Sequence, residues 1–371
     1  MNSKGNIIIG AGLSGAIIAR KIAEELDEKV LVIDRREHIA GNIYDYKDEQ
    51  TGITVQKYGP HIFHTNNENV WNYLSRFTDW NSFVFKPKVV IGGKPVTLPF
   101  NLTTLYEVFE KQAAEKTESK LINKYGLNKK IPILELKKTD DEDLKFLADF
   151  VYKNVFEGYT IKQWGLKPEE IDQSITARVP VFLSHDNRYF QDKYQGIPSE
   201  GYTKMTEKIL SHPHITVQLN TDWNQINKTF DRIIYTGSID EFFNYKYGTL
   251  PYRSLKFDIE TKDMEYYQPA AMVNHPNDND FTRITEHKYF LDEKSPKTVI
   301  SKEYSESFSV GKNDRYYPIA NNANQELYEK YTNIASEIPN LYFLGRLGDY
   351  KYYNMDQTAE RALKFFEEKI K

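Results

Sequence analysis

The stretch that decides the fold runs from Asn6 to Asp34 and reads NIIIGAGLSGAIIARKIAEELDEKVLVID. An apolar run, Ile7–Ile9, precedes three glycines, and apolar residues then recur at helical spacing up to Leu26. A second apolar run, Val30–Ile33, leads to Asp34. This order predicts a β-strand, a tight turn, an α-helix and a second strand, which together form the βαβ unit of a parallel sheet.

The glycines Gly10, Gly12 and Gly15 have the spacing found in dinucleotide-binding turns. The first permits a tight turn, the second lets a pyrophosphate approach the backbone, and the third lets the helix pack on the strand. Asp34, nineteen residues after Gly15, can accept hydrogen bonds from a ribose. The sequence therefore predicts a dinucleotide site, and the alternative is an ordinary glycine turn in a parallel sheet.

The composition excludes several classes of protein. The 371 residues include no cysteine, which excludes a disulfide scaffold, thiolate metal sites and a cysteine nucleophile, and which fits a reducing compartment. The 49 basic and 53 acidic residues give a net charge of −4, so no overall positive field recruits nucleic acid. No apolar stretch reaches the length of a bilayer, so we expect a cytoplasmic protein without membrane insertion.

The rest of the chain divides into a helical part and a strand-rich part. Periodic Lys/Glu-rich segments extend from about Asn101 to Val179, and strand-like segments dominate from Val181 to Pro339. Another apolar strand pattern, Leu341–Leu344, precedes a helical pattern that begins at about Met355. We therefore expect the nucleotide-binding domain to use both ends of the chain.

Three further clusters combine aromatic, histidine and charged residues: KYGPHIFHT at 57–65, GYTIKQWG at 158–165 and GRLGDYKYYNMDQ at 345–357. The two histidines of the first lack nearby metal-ligand partners, so we expect no metal, and they are either donors beside a cofactor ring or core histidines. Tyr159 and Trp164 are either stacking platforms for a base or sugar, or core aromatics. Asn354 has the position of a helix N-cap, with Gln357 as its capping-box partner.

These clusters, together with DNRYFQDKYQGIP, YRSLKF and TRITEHKYF, follow one another in an order that resembles the bacterial UDP-galactopyranose mutases. The resemblance implies an α/β fold with a discontinuous FAD-binding Rossmann-like domain, an inserted helical domain and a twisted antiparallel β-sheet domain. The implied ranges are 1–78, 203–237 and 338–371 for FAD binding, 101–182 for the helical domain with a mobile substrate loop, and 79–100, 183–202 and 238–337 for the sheet.

The resemblance also implies an activity. Members are isomerases that interconvert UDP-galactopyranose and UDP-galactofuranose for cell-surface polysaccharide synthesis, with no net redox change. In the family mechanism, N5 of reduced FAD attacks the anomeric carbon and forms a flavin–sugar adduct, while the nucleoside diphosphate departs. The resemblance further implies a homodimer whose small-molecule partner is a nucleotide sugar, most simply UDP-galactose.

The family motifs assign roles to individual positions. A departing diphosphate needs charge stabilisation, and arginine provides a bidentate, permanently charged fork. The resemblance implies catalytic roles for Arg178, Arg283, His64, Tyr352 and Asn354. It implies substrate contacts for Tyr159, Thr160, Trp164, Tyr189, Phe190, Asn274, Tyr317 and Phe85. It implies cofactor contacts for Gly10, Gly12, Leu13, Ser14, Gly15, Asp34, Arg35, Gly41, Asn42, His61, Arg346, Met355 and Asp356.

Two positions and one segment depart from the family pattern, and they leave the identity of the sugar open. Phe85 stands where an asparagine is usual, Asn354 where an aspartate is usual, and Gln268–Ala271 reads QPAA in place of QGNA. Phe85 would pack better against a 6-deoxy methyl group, so a relative acting on another nucleotide sugar, such as dTDP-fucopyranose, is an alternative. A flavin oxidoreductase of the amine-oxidase type, which shares the glycine motif, and an inactive sugar-nucleotide binder are alternatives from other classes.

Overall fold

The computed structural model describes residues 5–165, 180–319 and 321–371. Their strands, in chain order, are β1 Asn6–Ile9, β2 Val30–Ile33, β3 Asp45–Lys47, β4 Thr54–Gln56, β5 Phe63–Thr65, β6 Trp80–Asn81, β7 Lys88–Ile91, β8 Lys94–Thr97, β9 Lys130–Ile131, β10 Val181–Phe182, β11 Tyr194–Pro198, β12 Ile215–Gln218, β13 Arg232–Tyr235, β14 Tyr252–Lys262, β15 Met272–Asn274, β16 Arg283–Glu286, β17 Thr298–Ser307, β18 Tyr317–Pro318 and β19 Leu341–Phe343.

The helices of the same ranges are α1 Leu13–Glu25, α2 Glu68–Leu74, α3 Leu102–Val108, α4 Lys111–Tyr125, α5 Ile133–Leu136, α6 Glu142–Val151, α7 Gly158–Trp164, α8 Tyr202–Leu210, α9 Ile239–Phe242, α10 Asn322–Ser336, α11 Gly345–Gly348 and α12 Met355–Phe365. A π-helical stretch, Tyr152–Glu157, joins α6 to α7 without a break. Within the described ranges, none of the helices is both long and apolar enough to cross a membrane.

A five-stranded parallel sheet has the order β12-β2-β1-β13-β19 and takes strands from both ends of the chain. The predicted βαβ unit is confirmed as β1, α1 and β2. Helix α1 packs against this sheet and against α12, and isoleucines of β1 and α1 are fully buried there. The third glycine of the motif serves this packing, because a Cβ on Gly15 would lie 2.0 Å from the carbonyl oxygen of Gly10.

A seven-stranded sheet has the order β18-β14-β17-β16-β15-β7-β8 and is antiparallel except for the β15–β7 pair. The two long strands β14 and β17 pair from Arg253 opposite Ser307 to Lys262 opposite Thr298. The register of the shorter strands places Asn274 opposite Arg283, and Arg283 opposite Glu303. Three polar side chains are therefore neighbours across β15, β16 and β17, although the sequence separates them. The predicted fold class, a Rossmann-like domain combined with a twisted antiparallel sheet, is confirmed.

Helices α3 to α6 and the π-helical stretch have their own apolar core, which includes Leu121, Leu147 and Val151. The charged run around Lys116 forms one face of α4, where Lys116 and Lys120 pair with Asp143 of α6. Helix α7 leaves this core and packs against β17 of the large sheet.

Candidate active site

A cavity of about 260 Å³ lies at the carboxyl ends of β1, β2 and β13, where parallel sheets bind ligands. The glycine turn lines one side of the cavity. There Gly12 faces Gly41 so closely that a Cβ on Gly41 would lie 3.0 Å from the Cα of Gly12. Eleven of the residues predicted to bind the cofactor line it: Gly10, Gly12, Leu13, Ser14, Asp34, Arg35, Gly41, Asn42, His61, Arg346 and Met355. Gly15 and Asp356 are not lining residues.

The Asp34 carboxylate organises the rim of this cavity. Its Oδ2 accepts a hydrogen bond from the backbone N–H of Ala11 at 2.8 Å, and its Oδ1 accepts one from the N–H of Arg36 at 2.9 Å. Each carboxylate oxygen can accept a second hydrogen bond. Asp34 therefore holds the glycine turn and retains acceptor capacity toward the cavity.

The opposite rim consists of residues that the motifs did not indicate: Thr221, Asp222, Trp223, Asn224, Tyr235, Thr236, Gly237, Glu241 and Phe242. The rings of Trp223 and Phe242 are nearly parallel, with centroids 6.1 Å apart, and Glu241 accepts a 2.8 Å hydrogen bond from Arg35. Tyr235 is the last residue of β13, and the others follow β12 or β13. The rule that ligands bind at the carboxyl ends of parallel strands could have identified them once those strands were predicted.

His61 and Arg346 line the part of the cavity nearest the large sheet. Burial, with smaller contributions from Arg346 and Arg283, lowers the pKa of His61 to about 4, so its ring is neutral near pH 7. Its Nδ1–H donates to the carbonyl oxygen of Gly59 at 2.8 Å, which leaves a lone pair on Nε2. The Nε of Arg346 is buried without a hydrogen-bond partner among the described residues. An orphaned donor, a neutral imidazole acceptor and a backbone cradle together fit a dinucleotide with a polar ring system.

Arg283 is fixed by Glu303, a residue that the motifs missed. The Nε and Nη2 of Arg283 donate to the same Glu303 oxygen at 2.8 and 2.6 Å, and the Glu303 side chain is only 2% exposed. Burial disfavours the charged guanidinium, but Glu303, Tyr159 and Tyr317 outweigh that effect and raise the pKa of Arg283 well above its usual value. Arg283 is therefore a permanent cation. Only the cross-strand register identifies Glu303 as the partner of Arg283, and the sequence alone does not supply that register.

The predicted tyrosines lie close to the two arginines. Tyr317 and Tyr352 stack at 5.3 Å, the guanidinium of Arg346 lies 5.1 and 5.2 Å from the two ring centroids, and Trp164 lies 6.0 Å from Tyr317. Burial raises the pKa of both Tyr159 and Tyr317 above the usual range, so their hydroxyls stay protonated and can donate hydrogen bonds. The structure thus brings together cations and hydroxyl donors, the groups that bind a diphosphate.

His64, Phe190, Phe85 and Tyr189 form an aromatic wall. The rings of His64 and Phe190 stack at 3.6 Å, Phe85 lies 5.9 Å from Phe190 and 5.5 Å from Tyr189, and Phe85 is 3% exposed. His64 does not line the cavity, and its Nδ1 hydrogen-bonds at 2.9 Å to Asp192, another partner that the motifs missed.

The remaining predicted residues occupy several settings. Asn274 is next to Arg283 in the sheet, and its buried Oδ1 has no partner among the described residues. Thr160 is buried in α7. Asp356 accepts a 3.1 Å hydrogen bond from Thr65 through Oδ2.

The predicted capping box is confirmed: Asn354 is the N-cap of α12, and its N–H donates to Gln357 at 2.9 Å. Arg178 lies outside the described residues.

Comparisons with known proteins agree with this arrangement. A family model described as UDP-galactopyranose mutase matches residues 154–352, and one described as an NAD(P)-binding Rossmann-like domain matches residues 8–77. The chain is 41% identical over 372 residues to a probable UDP-galactopyranose mutase of Klebsiella pneumoniae, with 99% of this chain and 95% of that protein covered. It is 38% identical over 367 residues to the dTDP-fucopyranose mutase of Escherichia coli, with 96% of each covered.

A crystal structure of reduced UDP-galactopyranose mutase has a TM-score of 0.70 at 16% identity, and the match covers 99% of this chain and 94% of that one. That likeness supports the fold, while the sequence matches carry the family assignment. Because the family model spans more than half of the chain, and the relatives are similar over nearly all of it, the chain belongs to the UDP-galactopyranose mutase family of flavin-containing isomerases.

Proposed function

We propose that this enzyme interconverts the pyranose and furanose forms of a nucleotide sugar, UDP-galactopyranose and UDP-galactofuranose, with FAD in its reduced form. The observation that carries the proposal is the position of Arg283. Its guanidinium is held by buried Glu303 near Tyr159 and Tyr317, and Tyr317 in turn contacts Arg346 of the dinucleotide cavity. A diphosphate site therefore adjoins the cofactor site.

FAD would be held by the glycine turn, by Asp34 at the ribose and by Arg346 at the ring end. When bound and reduced, it would supply a nucleophilic nitrogen, N5, for the anomeric carbon of the sugar. The neutral His61 would offer its Nε2 to the bound cofactor as a hydrogen-bond acceptor, because its Nδ1–H is already donated to Gly59.

Breaking the bond between the anomeric carbon and the diphosphate places negative charge on the departing phosphate oxygen. Arg283 opposes that charge without reorganising, because its pair with Glu303 already fixes the guanidinium plane. The protonated hydroxyls of Tyr159 and Tyr317 donate to the remaining phosphate oxygens. These groups serve equally when the diphosphate returns to the anomeric carbon. The pyranose and furanose forms are isomers of the same oxidation level, so the exchange needs no net oxidation or reduction.

A second candidate substrate is dTDP-fucopyranose. Phe85 contributes an apolar ring to the aromatic wall, and the chain is similar over nearly all of its length to a dTDP-fucopyranose mutase. A 6-deoxy sugar would offer a methyl group to such a wall. We further propose that the enzyme is a cytoplasmic homodimer, as the family resemblance implies, and light scattering of the purified protein tests the dimer.

The test is a substrate panel with the holoenzyme. UDP-galactopyranose, dTDP-fucopyranose and UDP-glucose are incubated with and without dithionite, and the ring form of the product is read by chromatography and NMR. We expect furanose product only with reduced enzyme, and no stoichiometric use of reductant. Oxygen consumption without ring exchange would instead indicate an oxidoreductase, and nucleotide binding without turnover would indicate a binder.

A further inference from the structure

Helix α7 carries three of the predicted substrate residues, Tyr159, Thr160 and Trp164, and it is only seven residues long. The last carbonyl groups of a helix have no partners within the helix and must be satisfied elsewhere. Gly165, whose φ is +70°, ends the helix. What holds the end of α7 therefore decides where Trp164 lies.

Arg253 of β14 supplies that contact. Its Nε donates to the carbonyl oxygen of Gln163 at 2.9 Å, and its Nη2 donates to that of Lys162 at 3.3 Å. The other donors reach hydroxyls of the neighbouring strand β17, Ser307 at 3.1 Å and Ser305 at 3.0 Å. Ser305 itself donates to the Gln163 carbonyl at 2.7 Å. One side chain thus joins two strands of the large sheet to the end of the helix.

The guanidinium of Arg253 is largely buried. The residue is 7% exposed, and no ion pair to a carboxylate within 4.0 Å occurs for it among the described residues. A buried cation ordinarily requires a carboxylate, because desolvation is costly. Among the residues that the structure describes, the partially negative carbonyl end of α7 takes that place, since cations are stabilised at helix C-termini.

Two other contacts fix α7 to the loop between β15 and β16. Lys162 donates to the carbonyl oxygens of His275 and Phe281 at 2.7 and 3.3 Å. A Cβ on Gly158 would lie 2.5 Å from the carbonyl oxygen of Pro276, so the helix touches this loop directly. The loop joins Asn274 to Arg283. These contacts, together with those of Arg253, connect the aromatic residues of α7 to the sheet that carries Arg283.

We propose that Arg253 is a positioning residue for the nucleotide part of the substrate: it fixes the last turn of α7 so that Trp164 stays beside Tyr317 and Tyr159 stays beside Arg283. Arg253 touches none of the reacting atoms and acts through Trp164. The inference rests on the proposed function, because it takes α7 to be the wall of a nucleotide site.

The test is a double-mutant cycle between Arg253→Met and Trp164→Ala in the FAD-loaded enzyme, with UDP as the titrated probe. Arg253→Met should weaken UDP binding and raise KM by about tenfold, because a displaced positioning group costs binding geometry, while kcat and the flavin spectrum change little. In the Trp164→Ala background, the same change should weaken UDP binding by less than about threefold, because residues that act through one another are not additive.

Arg253→Lys, which keeps the charge, should recover part of the affinity. Lys256→Met on the same strand is the matched control, since Lys256 is exposed and pairs with Asp258, and UDP binding should not change. If Arg253→Met does not fold, Ser305→Ala removes one hydrogen bond to Gln163 and should show a smaller effect with the same non-additivity.

Additive effects, or unchanged UDP affinity in the folded variants, would overturn the role of Arg253. Failure of the proposed function would give a different result, because the wild-type enzyme would then exchange no sugar rings. The double-mutant cycle could still be measured, since its readout is the affinity for UDP.

Discussion

The pair formed by Arg283 and Glu303 should contribute to stability and to catalysis in different ways. Replacing Glu303 with Met leaves the volume nearly unchanged but removes the acceptor of two hydrogen bonds from a guanidinium whose side chain is 18% exposed. Breaking a buried pair on one side typically costs about 3–5 kcal/mol, because the remaining charge is left uncompensated. The double variant Arg283→Met, Glu303→Met leaves no such charge, so its free energy of unfolding should lie closer to that of the wild type.

Activity should not follow stability in this series. Both the single and the double variant should lose roughly a hundred- to thousandfold in turnover, since the single variant no longer orients the cation proposed to face the diphosphate and the double variant lacks that cation. The measurements are denaturant unfolding followed by fluorescence, and ring exchange under dithionite. Lys302→Met is the control, because Lys302 lies on the same strand and pairs with Glu260 near the surface. A double variant as unstable as the sum of its singles, or a Glu303→Met enzyme with normal turnover, would refute the reasoning.

Three further outcomes are expected. The purified protein should be yellow and release FAD on denaturation, and a colourless protein that binds NAD in titration would contradict the cofactor assignment. Phe85→Asn should shift the ratio of kcat/KM toward UDP-galactose and away from a 6-deoxy analogue, whereas an unchanged ratio would mean that Phe85 supports Phe190 without influencing the sugar. Burial lowers the pKa of His287 from 6.5 to about 3, so the unfolded chain binds more protons between these values and stability should fall as the pH drops through this range. The free energy of unfolding should fall by up to about 5 kcal/mol over this range. His287→Asn should flatten this pH dependence of the unfolding midpoint. The control His185→Asn, which replaces an exposed histidine, should not.

Local features of the fold followed from short stretches of sequence. The βαβ unit needs only an apolar run, three spaced glycines and a helical apolar pattern within Asn6–Asp34, and the structure places β1, α1 and β2 there. The capping box at Asn354 likewise depends on residues three positions apart. Such features were predictable because steric limits on the backbone and nearby hydrogen-bond partners act within a few residues.

Partners from distant strands were not predictable in this way. Arg283 is identified by its motif, but Glu303 becomes its partner only because β16 and β17 pair in one register. Asp192 reaches His64 across 128 residues, and Arg253 reaches the end of α7 across 90. A one-residue shift of β14 or β17 would turn Arg253 or Glu303 to the opposite face, and nothing near these residues in sequence specifies that choice.

The sequence by itself determined the class of this protein, since the glycine turn and the ordered aromatic motifs specify a dinucleotide-binding mutase fold. Only the tertiary structure decided how the site is supported: which carboxylate orients Arg283, why His61 rather than His64 lines the cavity, and how Arg253 holds α7. The physical reason is one of range. Turns, caps and periodic apolar faces depend on neighbours along the chain, whereas the charge and burial of a site depend on groups that meet only when sheets and helices pack.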